Sequence, residues 1–202
     1  MGLEAKPGKG RFWTNRVVVL CGPDCSGKTT LAEGLAKVYD TRIVKGLRVD
    51  SDKVYDKVKQ DLAAWKNQPQ EDLILLDRWQ FPDDIIYERV HGRAESQLVP
   101  HIEELIEECL EIPIMFVHVT ALPQVLKRRY EQRGDEEVDF DMILKAHRAY
   151  GDFFGDLKAM AMTRKHCPPL PVLHIDTSLY FKSDALVRVI ERIDKFYTWG
   201  EW

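Results

Sequence analysis

A glycine-bounded turn near the start of the chain has the residue types that surround phosphate groups in proteins. The segment GPDCSGKTT covers residues 22–30, and its Gly22 and Gly27-Lys28-Thr29 fit the pattern G-x-x-x-x-G-K-[ST]. In such a turn successive backbone N–H groups point inward, and the N-terminus of the following helix adds partial positive charge. The segment follows an apolar run, RVVVLC, and precedes a helix-like one, which is the context that the pattern requires. These residues therefore predict a phosphate loop that binds a nucleotide.

The residues of this loop have different expected roles. Lys28 is expected to reach the β- and γ-phosphates, and the Thr29 hydroxyl is expected to bind Mg²⁺. Gly27 allows the backbone to approach the phosphates closely. The expected nucleotide-binding set is Gly22, Asp24, Ser26, Gly27, Lys28, Thr29 and Thr30. The alternative is a turn that only caps a helix, and the flanking strand and helix argue against it.

An Asp-Arg pair follows a second apolar run, LILL, at residues 73–76. A carboxylate at the end of a strand beside the loop-bearing strand can hold Mg²⁺ through water, which is the role expected for Asp77. The Arg78 guanidinium is a planar fork that fits a phosphate group. A structural ion pair at a strand end is the alternative. The expected metal-binding residues are thus Thr29 and Asp77.

A cluster of arginines lies in LKRRYEQRGDEEVDF, residues 126–140. Arg129 and Arg133 occupy positions i and i+4 and would share one face of a helix, with Arg128 beside them. Arginines that close over a transferring phosphoryl group exclude water from it and stabilise its charge. The alternative is a solvated charged helix, which the neighbouring carboxylates favour. We expect a closing segment, the lid, at about residues 128–139.

Short apolar runs alternate with longer amphipathic ones, which predicts βαβ units and a parallel sheet. The runs VVVL, LILL and IMFV do not alternate with polar residues, as expected where helices cover both faces of a sheet. We therefore predict a three-layer α/β fold with a five-stranded parallel sheet. The predicted strands are 16–21, 41–46, 72–77, 113–120 and 171–176. The predicted helices are 28–39, 52–66, 84–92, 98–111, 122–133, 139–165 and 183–197.

Composition excludes several classes of protein. The 202 residues, 45% hydrophobic and 31% charged, fit one globular domain over 1–202, with residues 1–12 as a loose terminus. The net charge of −4 disfavours binding of a nucleic-acid polymer through bulk charge. No apolar run is long enough to cross a bilayer, and the four cysteines lack metal or disulfide spacing. We expect a cytoplasmic protein that binds neither nucleic acid nor membrane.

The motifs GPDCSGKTT and LILLDRWQFPDDIIYE together resemble the thymidylate kinase-like family of P-loop nucleoside monophosphate kinases. The resemblance implies a P-loop kinase fold, ATP and Mg²⁺ as cofactors, and transfer of a phosphoryl group to a (deoxy)nucleoside monophosphate. It implies that Arg78 binds the acceptor monophosphate and that Asp24 approaches the acceptor sugar. It also places the lid after the fourth strand. The expected catalytic residues are Lys28, Asp77, Arg78, Arg129 and Arg133.

Departures from the family pattern leave the substrate open. The segment VYDKVKQDLAAWKNQPQ lacks the family's phenylalanine and arginine that hold the base, and QFPDD replaces a small hydroxyl residue after the Asp-Arg-aromatic step. Four aromatic residues could either stack on a base or pack in the core, namely Tyr55, Trp79, Phe81 and Tyr87. A deoxynucleoside kinase is the alternative enzyme, and a nucleotide-binding switch is the non-enzyme alternative, although no N-K-x-D stretch is present. The expected partner is a small nucleotide substrate, and a homodimer stays open.

Overall fold

Parallel strands form the centre of the molecule. The computed structural model describes residues 16–46, 49–67, 73–134, 138–163, 169–179 and 182–199. Within these ranges five strands form one sheet in the order β2-β3-β1-β4-β5, and every pair is parallel. The strands are β1 Arg16–Cys21, β2 Ile43–Lys45, β3 Leu73–Asp77, β4 Ile114–Thr120 and β5 Val172–Asp176.

Helices connect the strands in the expected alternation. The described helices are α1 Lys28–Tyr39, α2 Val54–Asn67, α3 Gln80–His91, α4 Ile102–Leu110, α5 Pro123–Arg133, α6 Phe140–Thr163 and α7 Lys182–Trp199. Short 3₁₀ turns at Ser51–Lys53 and Val99–His101 precede α2 and α4. None of the helices within the described ranges combines the length and the apolar character needed to span a bilayer.

The sheet has a hydrophobic core on each face because successive strand residues point to opposite sides. On one face, Val17 and Val19 of β1 pack with buried residues of α2, α3, α4 and α6. On the other face, Val18 and Leu20 pack with residues of α1 and α7. The predicted three-layer α/β fold with a five-stranded parallel sheet is therefore confirmed.

The register of the sheet determines which residues meet at its carboxyl edge. Leu20 of β1 lies opposite Asp77 of β3, so the phosphate loop and the Asp-Arg pair begin side by side. The Arg78 N–H donates to Leu20 O at 3.0 Å, and the Thr177 N–H donates to Thr120 O at 2.9 Å. The segments that follow β1, β3, β4 and β5 thus converge at one edge.

Two sequence expectations fall partly outside the described residues. The predicted loose terminus, residues 1–12, lies entirely outside the described residues. Residues 135–137 of the predicted lid also lie outside them. The part of the lid that is described consists of the end of α5, Gly134, and residues 138–139 before α6.

Candidate functional site

The phosphate loop connects β1 to α1 through backbone conformations that favour glycine. Gly27 precedes α1 with φ 98°, and Gly22 has φ 138°. A Cβ atom on Gly22 would lie 2.1 Å from Val119 O, so the backbone of β4 leaves no room for a side chain there. The two glycines of the sequence pattern are therefore required by the turn and by its packing on β4.

Lys28 lies beneath this loop. Its side chain is 6% exposed, and its Nζ donates to Gly22 O at 2.8 Å and to Pro23 O at 2.6 Å. Burial lowers the pKa of Lys28 to about 8, and the Arg78 cation acts in the same direction. A phosphate group in the loop would give this ammonium an anionic partner that the backbone carbonyls do not supply.

A cavity of about 870 Å³, the loop cavity, opens beside the phosphate loop and between α1 and α5. All five of the expected catalytic residues line it, namely Lys28, Asp77, Arg78, Arg129 and Arg133. Of the expected nucleotide-binding set, Asp24, Gly27, Lys28, Thr29 and Thr30 line it. Gly22 and Ser26 are buried in the body of the loop. The fold thus brings the sequence-predicted residues of three separate segments to one cavity.

The residues expected to bind a metal offer suitable oxygen ligands. The Thr29 hydroxyl and the Asp77 carboxylate both line the loop cavity. Mg²⁺ in nucleotide sites is held by one or two protein oxygens together with phosphate oxygens and water. Within the described part of the chain there is no group of three or more His, Cys, Asp or Glu residues that could hold a metal by itself. The donor set therefore fits a metal that enters with the phosphates.

Arg129 of α5 contacts the phosphate loop directly. Its Nη1 donates to Cys25 O at 3.2 Å, to Ser26 O at 3.1 Å and to Thr177 Oγ1 at 2.8 Å. Its Nη2 donates to Thr177 O at 3.2 Å. Burial lowers the pKa of Arg129, and the neighbouring Arg128 cation acts with it. Arg129 thus joins α5, the loop and the segment after β5, with Thr177 as a partner that sequence reasoning missed.

Arg133 lies one turn further along α5 and faces the same loop. Its side chain is exposed, and it hydrogen-bonds the Cys25 thiol and lowers the pKa of Asp24. Burial, the largest effect, nevertheless raises the pKa of Cys25, so this side chain is a thiol at neutral pH. Both lid arginines therefore lie at the phosphate loop, while their closure stays a prediction.

Arg78 occupies the centre of a charged network. Its backbone φ is 72°, and its Nη2 donates to Asp24 Oδ1 at 2.7 Å. Its Nη1 donates to Asp83 Oδ2 at 2.9 Å and lies 3.4 Å from the Tyr150 hydroxyl. Its guanidinium lies over the Tyr87 ring at 5.1 Å. Burial alone raises the pKa of Asp24, but the Arg78 and Lys28 cations outweigh it and hold that pKa below its usual value.

Sequence reasoning missed the partner of Arg78 on α3. Asp83 is 8% exposed, and the Tyr150 hydroxyl donates to its Oδ1 at 2.6 Å. The carboxylate lies in the first turn of α3, only five residues after Arg78. The two aspartates of QFPDD could therefore have indicated a partner for this arginine. The partner Tyr150 is fully buried on α6, and its contact with Asp83 depends on the packing of α3 against α6.

A second cavity of about 950 Å³ opens on the other side of Arg78, between α3 and the segment before α2. Asp83 and Tyr87 line it together with Arg78. Of the aromatic residues left open between stacking and packing, Trp79 and Phe81 are core residues, 1% and 0% exposed. Tyr87 lines the second cavity, whereas Tyr55 stacks on His101.

The parallel sheet, the phosphate loop and the arginines around the loop cavity define a P-loop kinase fold. Residues 18–148 match the AAA_18 family, which is described as an AAA domain, and the chain belongs to this family. The matched range begins in β1 and ends in α6, so it includes the phosphate loop, Asp77, Arg78 and the arginines of α5.

Several known proteins are similar to this chain. The SPbeta prophage-derived uncharacterized protein YorR of Bacillus subtilis (strain 168) is 28% identical over 135 residues, which are 65% of this chain and 79% of YorR. The crystal structure of YorR in complex with phosphorylated GDP has a TM-score of 0.69 at 18% identity and covers 90% of this chain and 97% of that one.

Two kinases of known structure share the fold at lower identity. Deoxyadenosine kinase from M. mycoides with bound dATP has a TM-score of 0.57 at 14% identity over 88% of this chain and 99% of that one. Polyphosphate kinase 2 from Arthrobacter aurescens TC1 has a TM-score of 0.61 at 14% identity over 96% of this chain and 70% of that one. At such identities the likeness concerns the fold. The narrower assignment to thymidylate kinases stays a prediction.

Proposed function

We propose that this protein transfers a phosphoryl group from ATP to a small acceptor of the nucleoside class. The observation that carries the proposal is the position of Arg78, which lines both the loop cavity and the second cavity. A donor held by the phosphate loop and an acceptor held in the second cavity would therefore meet at one guanidinium. A nucleotide-binding switch does not require a second cavity beside the nucleotide site, so this cavity favours an enzyme with two substrates.

The loop cavity supplies what the donor triphosphate needs. The backbone N–H groups of the loop and the N-terminus of α1 would hold the β- and γ-phosphates, with Lys28 beneath them. Thr29 and Asp77 would hold Mg²⁺, which neutralises charge between the phosphates when bound. Arg129 and Arg133 add positive charge from α5.

Transfer requires positioning and charge stabilisation and no covalent intermediate on the protein. Arg78 lies where the acceptor oxygen would approach the γ-phosphate, and it can stabilise the charge that develops there. Asp24 is ionised at neutral pH because of its cationic neighbours, and it can accept a hydrogen bond from a hydroxyl group of the acceptor. The sequence resemblance favours a nucleoside monophosphate as the acceptor, and the free nucleoside is the second candidate.

A substrate panel tests this function. Purified protein with ATP and Mg²⁺ is assayed for ADP release with each common nucleoside and each monophosphate. We expect ADP release that depends on an acceptor from one of these classes. Equal ADP release with and without acceptor would indicate a nucleotide hydrolase and would contradict the proposal.

Substitution of Lys28 tests the phosphate loop. In Lys28→Ala the buried cation beneath the phosphates is lost, so turnover should fall by about a hundredfold or more, as expected for removal of a strong charge-stabilising contact. Lys37→Ala, an exposed lysine near the end of the same helix, is the matched control and should retain wild-type turnover. Circular dichroism establishes that both variants are folded. Unchanged turnover in folded Lys28→Ala would remove this loop from the reaction.

A further inference from the structure

The guanidinium of Arg78 is already engaged by carboxylates on both of its terminal nitrogens. Nη1 donates to Asp83 at 2.9 Å, and Nη2 donates to Asp24 at 2.7 Å. A phosphate group is recognised by the same planar fork, through the same pair of donors. An acceptor phosphate would therefore have to displace one of these carboxylates, or share with both of them a cation whose charge they already offset.

Asp83 is not free to be displaced. Its side chain is 11% exposed, and the fully buried Tyr150 donates a hydrogen bond to its other oxygen at 2.6 Å. A phosphate that took Nη1 from Asp83 would leave a buried carboxylate without its cation and beside a new dianion. Breaking a buried ion pair in this way is strongly unfavourable because the charge that remains is uncompensated. The contacts of Asp83 thus oppose phosphate binding at Arg78.

The two cavities that share Arg78 differ in charge. Among the described residues that line the loop cavity, Lys28, Arg128, Arg129 and Arg133 add positive charge, against the carboxylates of Asp24 and Asp77. Beside Arg78 and His91, the described lining of the second cavity includes one further basic residue, Arg93, which is paired with Glu88 at 3.2 Å. Its carboxylates are Asp50, Asp83, Asp84, Glu88 and Glu95. A triphosphate is attracted to the first cavity, and a phosphate on the acceptor is repelled from the second.

We infer that the acceptor carries no phosphate group, and that Asp83, which lines the second cavity and not the loop cavity, determines this selection by offsetting the charge of Arg78 on the acceptor's side. The inference rests on the proposed function and names its acceptor as a nucleoside that presents a hydroxyl group. In the reaction the hydroxyl oxygen forms a bond to the γ-phosphorus and the bond from that phosphorus to the bridging oxygen of ADP breaks. The hydroxyl proton is released to water, and the products are a nucleoside monophosphate and ADP.

Wild-type protein gives the first test. Initial rates are measured with ATP and Mg²⁺ for each nucleoside and for the 5′-monophosphate of the same base. We expect kcat/KM for the best nucleoside to exceed that of its monophosphate by about a hundredfold, which corresponds to roughly 2.7 kcal/mol. Turnover of monophosphates that equals or exceeds that of nucleosides overturns the inference and leaves the proposed function intact. Turnover of neither class, in protein that binds ATP, overturns both.

Asp83→Asn gives the second test, because it removes the charge and keeps the size of the side chain. With Arg78 partly released, kcat/KM for the monophosphate should rise about tenfold or more relative to the nucleoside. Tyr150→Phe is the matched control, since it removes a hydrogen bond to Asp83 and retains the carboxylate; its ratio of the two acceptors should stay within about threefold of wild type. An unchanged ratio in folded Asp83→Asn overturns the role of Asp83. If this variant does not fold, the wild-type ratio of the two acceptors is combined with a second measurement, the inhibition of nucleoside turnover by the monophosphate. We expect weak inhibition, and a monophosphate that inhibits at concentrations well below the KM of the nucleoside overturns the inference.

Discussion

A buried lysine with a lowered pKa should make the proposed binding of ATP depend on pH. The pKa of Lys28 is about 8 because burial, and then the Arg78 cation, disfavour its charged form. The lysine is protonated below that pH and loses its charge as the pH rises through it. We expect kcat/KM for ATP, which reports the free protein, to fall about tenfold between pH 7 and pH 9. Initial rates at low ATP across this range measure the effect.

An arginine at the same position separates this titration from other causes. Lys28→Arg keeps a charge that no accessible pH removes, so its lower activity should not decline further between pH 7 and pH 9. A wild-type profile that is flat to pH 9, or an identical decline in Lys28→Arg, would show that another group controls ATP use at high pH.

At the level of single residues, the sequence predicted those features of the site that depend on residues close together in the chain. Gly22, Gly27 and Lys28 form a local pattern, and the structure places the two glycines in the turn after β1 and Lys28 at the first residue of α1, with its Nζ hydrogen-bonded to Gly22 O. The surroundings of Arg78 were not predictable in this way. Asp83 and Tyr150 lie 67 positions apart, so their contact exists only after α3 packs against α6.

At the level of elements, α5 presents two arginines to the phosphate loop. Arg129 is anchored on Cys25 O, Ser26 O and Thr177, whereas Arg133 is exposed beside the Cys25 thiol. If both act on the transferring phosphoryl group, replacing them together by alanine should lower kcat more than it raises KM for ATP, because their contacts strengthen in the transition state. We expect kcat to fall by about a hundredfold or more, the loss typical for removal of one or more charge-stabilising donors.

An exposed lysine of the same helix is the control for α5. Lys127→Ala removes one positive charge from α5 outside the loop cavity and should leave both kinetic constants close to wild type. An increase in KM with kcat unchanged in the double variant would show that Arg129 and Arg133 only bind the ground state. Single variants then separate the anchored arginine from the exposed one.

The elements themselves were predicted where their signal was strong. The continuous apolar runs of β1, β3 and β4 were recognised because helices cover both faces of these strands. The strand expected at 41–46 is only Ile43–Lys45, an edge strand whose last two residues are exposed, so little apolar pattern marks it. The helix expected at 98–111 begins with a 3₁₀ turn that contains Pro100, and regular α-helix starts at Ile102.

At the scale of the whole molecule, the two edges of the sheet have different roles. The carboxyl edge carries the phosphate loop, the Asp-Arg pair and Thr177. Near the amino edge, the buried Tyr197 of α7 donates its hydroxyl hydrogen toward Val17 O at 2.8 Å and lies 3.1 Å from Pro113 O. This hydroxyl joins α7 to the beginnings of β1 and β4. A substitution at the amino edge should therefore lower the free energy of unfolding without lowering the rate of phosphoryl transfer.

Removal of the Tyr197 hydroxyl tests this separation. Tyr197→Phe removes the buried hydroxyl that donates to Val17 O, whereas Pro113 O still accepts from the Val17 N–H at 3.0 Å, so the free energy of unfolding should fall by about 1–2 kcal/mol. For a chain of this length the midpoint of thermal unfolding should fall by roughly 2–8 °C.

Tyr55→Phe, in which the lost hydroxyl contacts Glu104 at the exposed surface, is the matched control and should change the free energy of unfolding by less than about 0.5 kcal/mol. Because Tyr197 lies at the other edge of the sheet from the loop cavity, ATP-dependent turnover at 25 °C should stay within about twofold of wild type. A large loss of turnover in folded Tyr197→Phe would show that the amino edge is coupled to the site through β1 and β4.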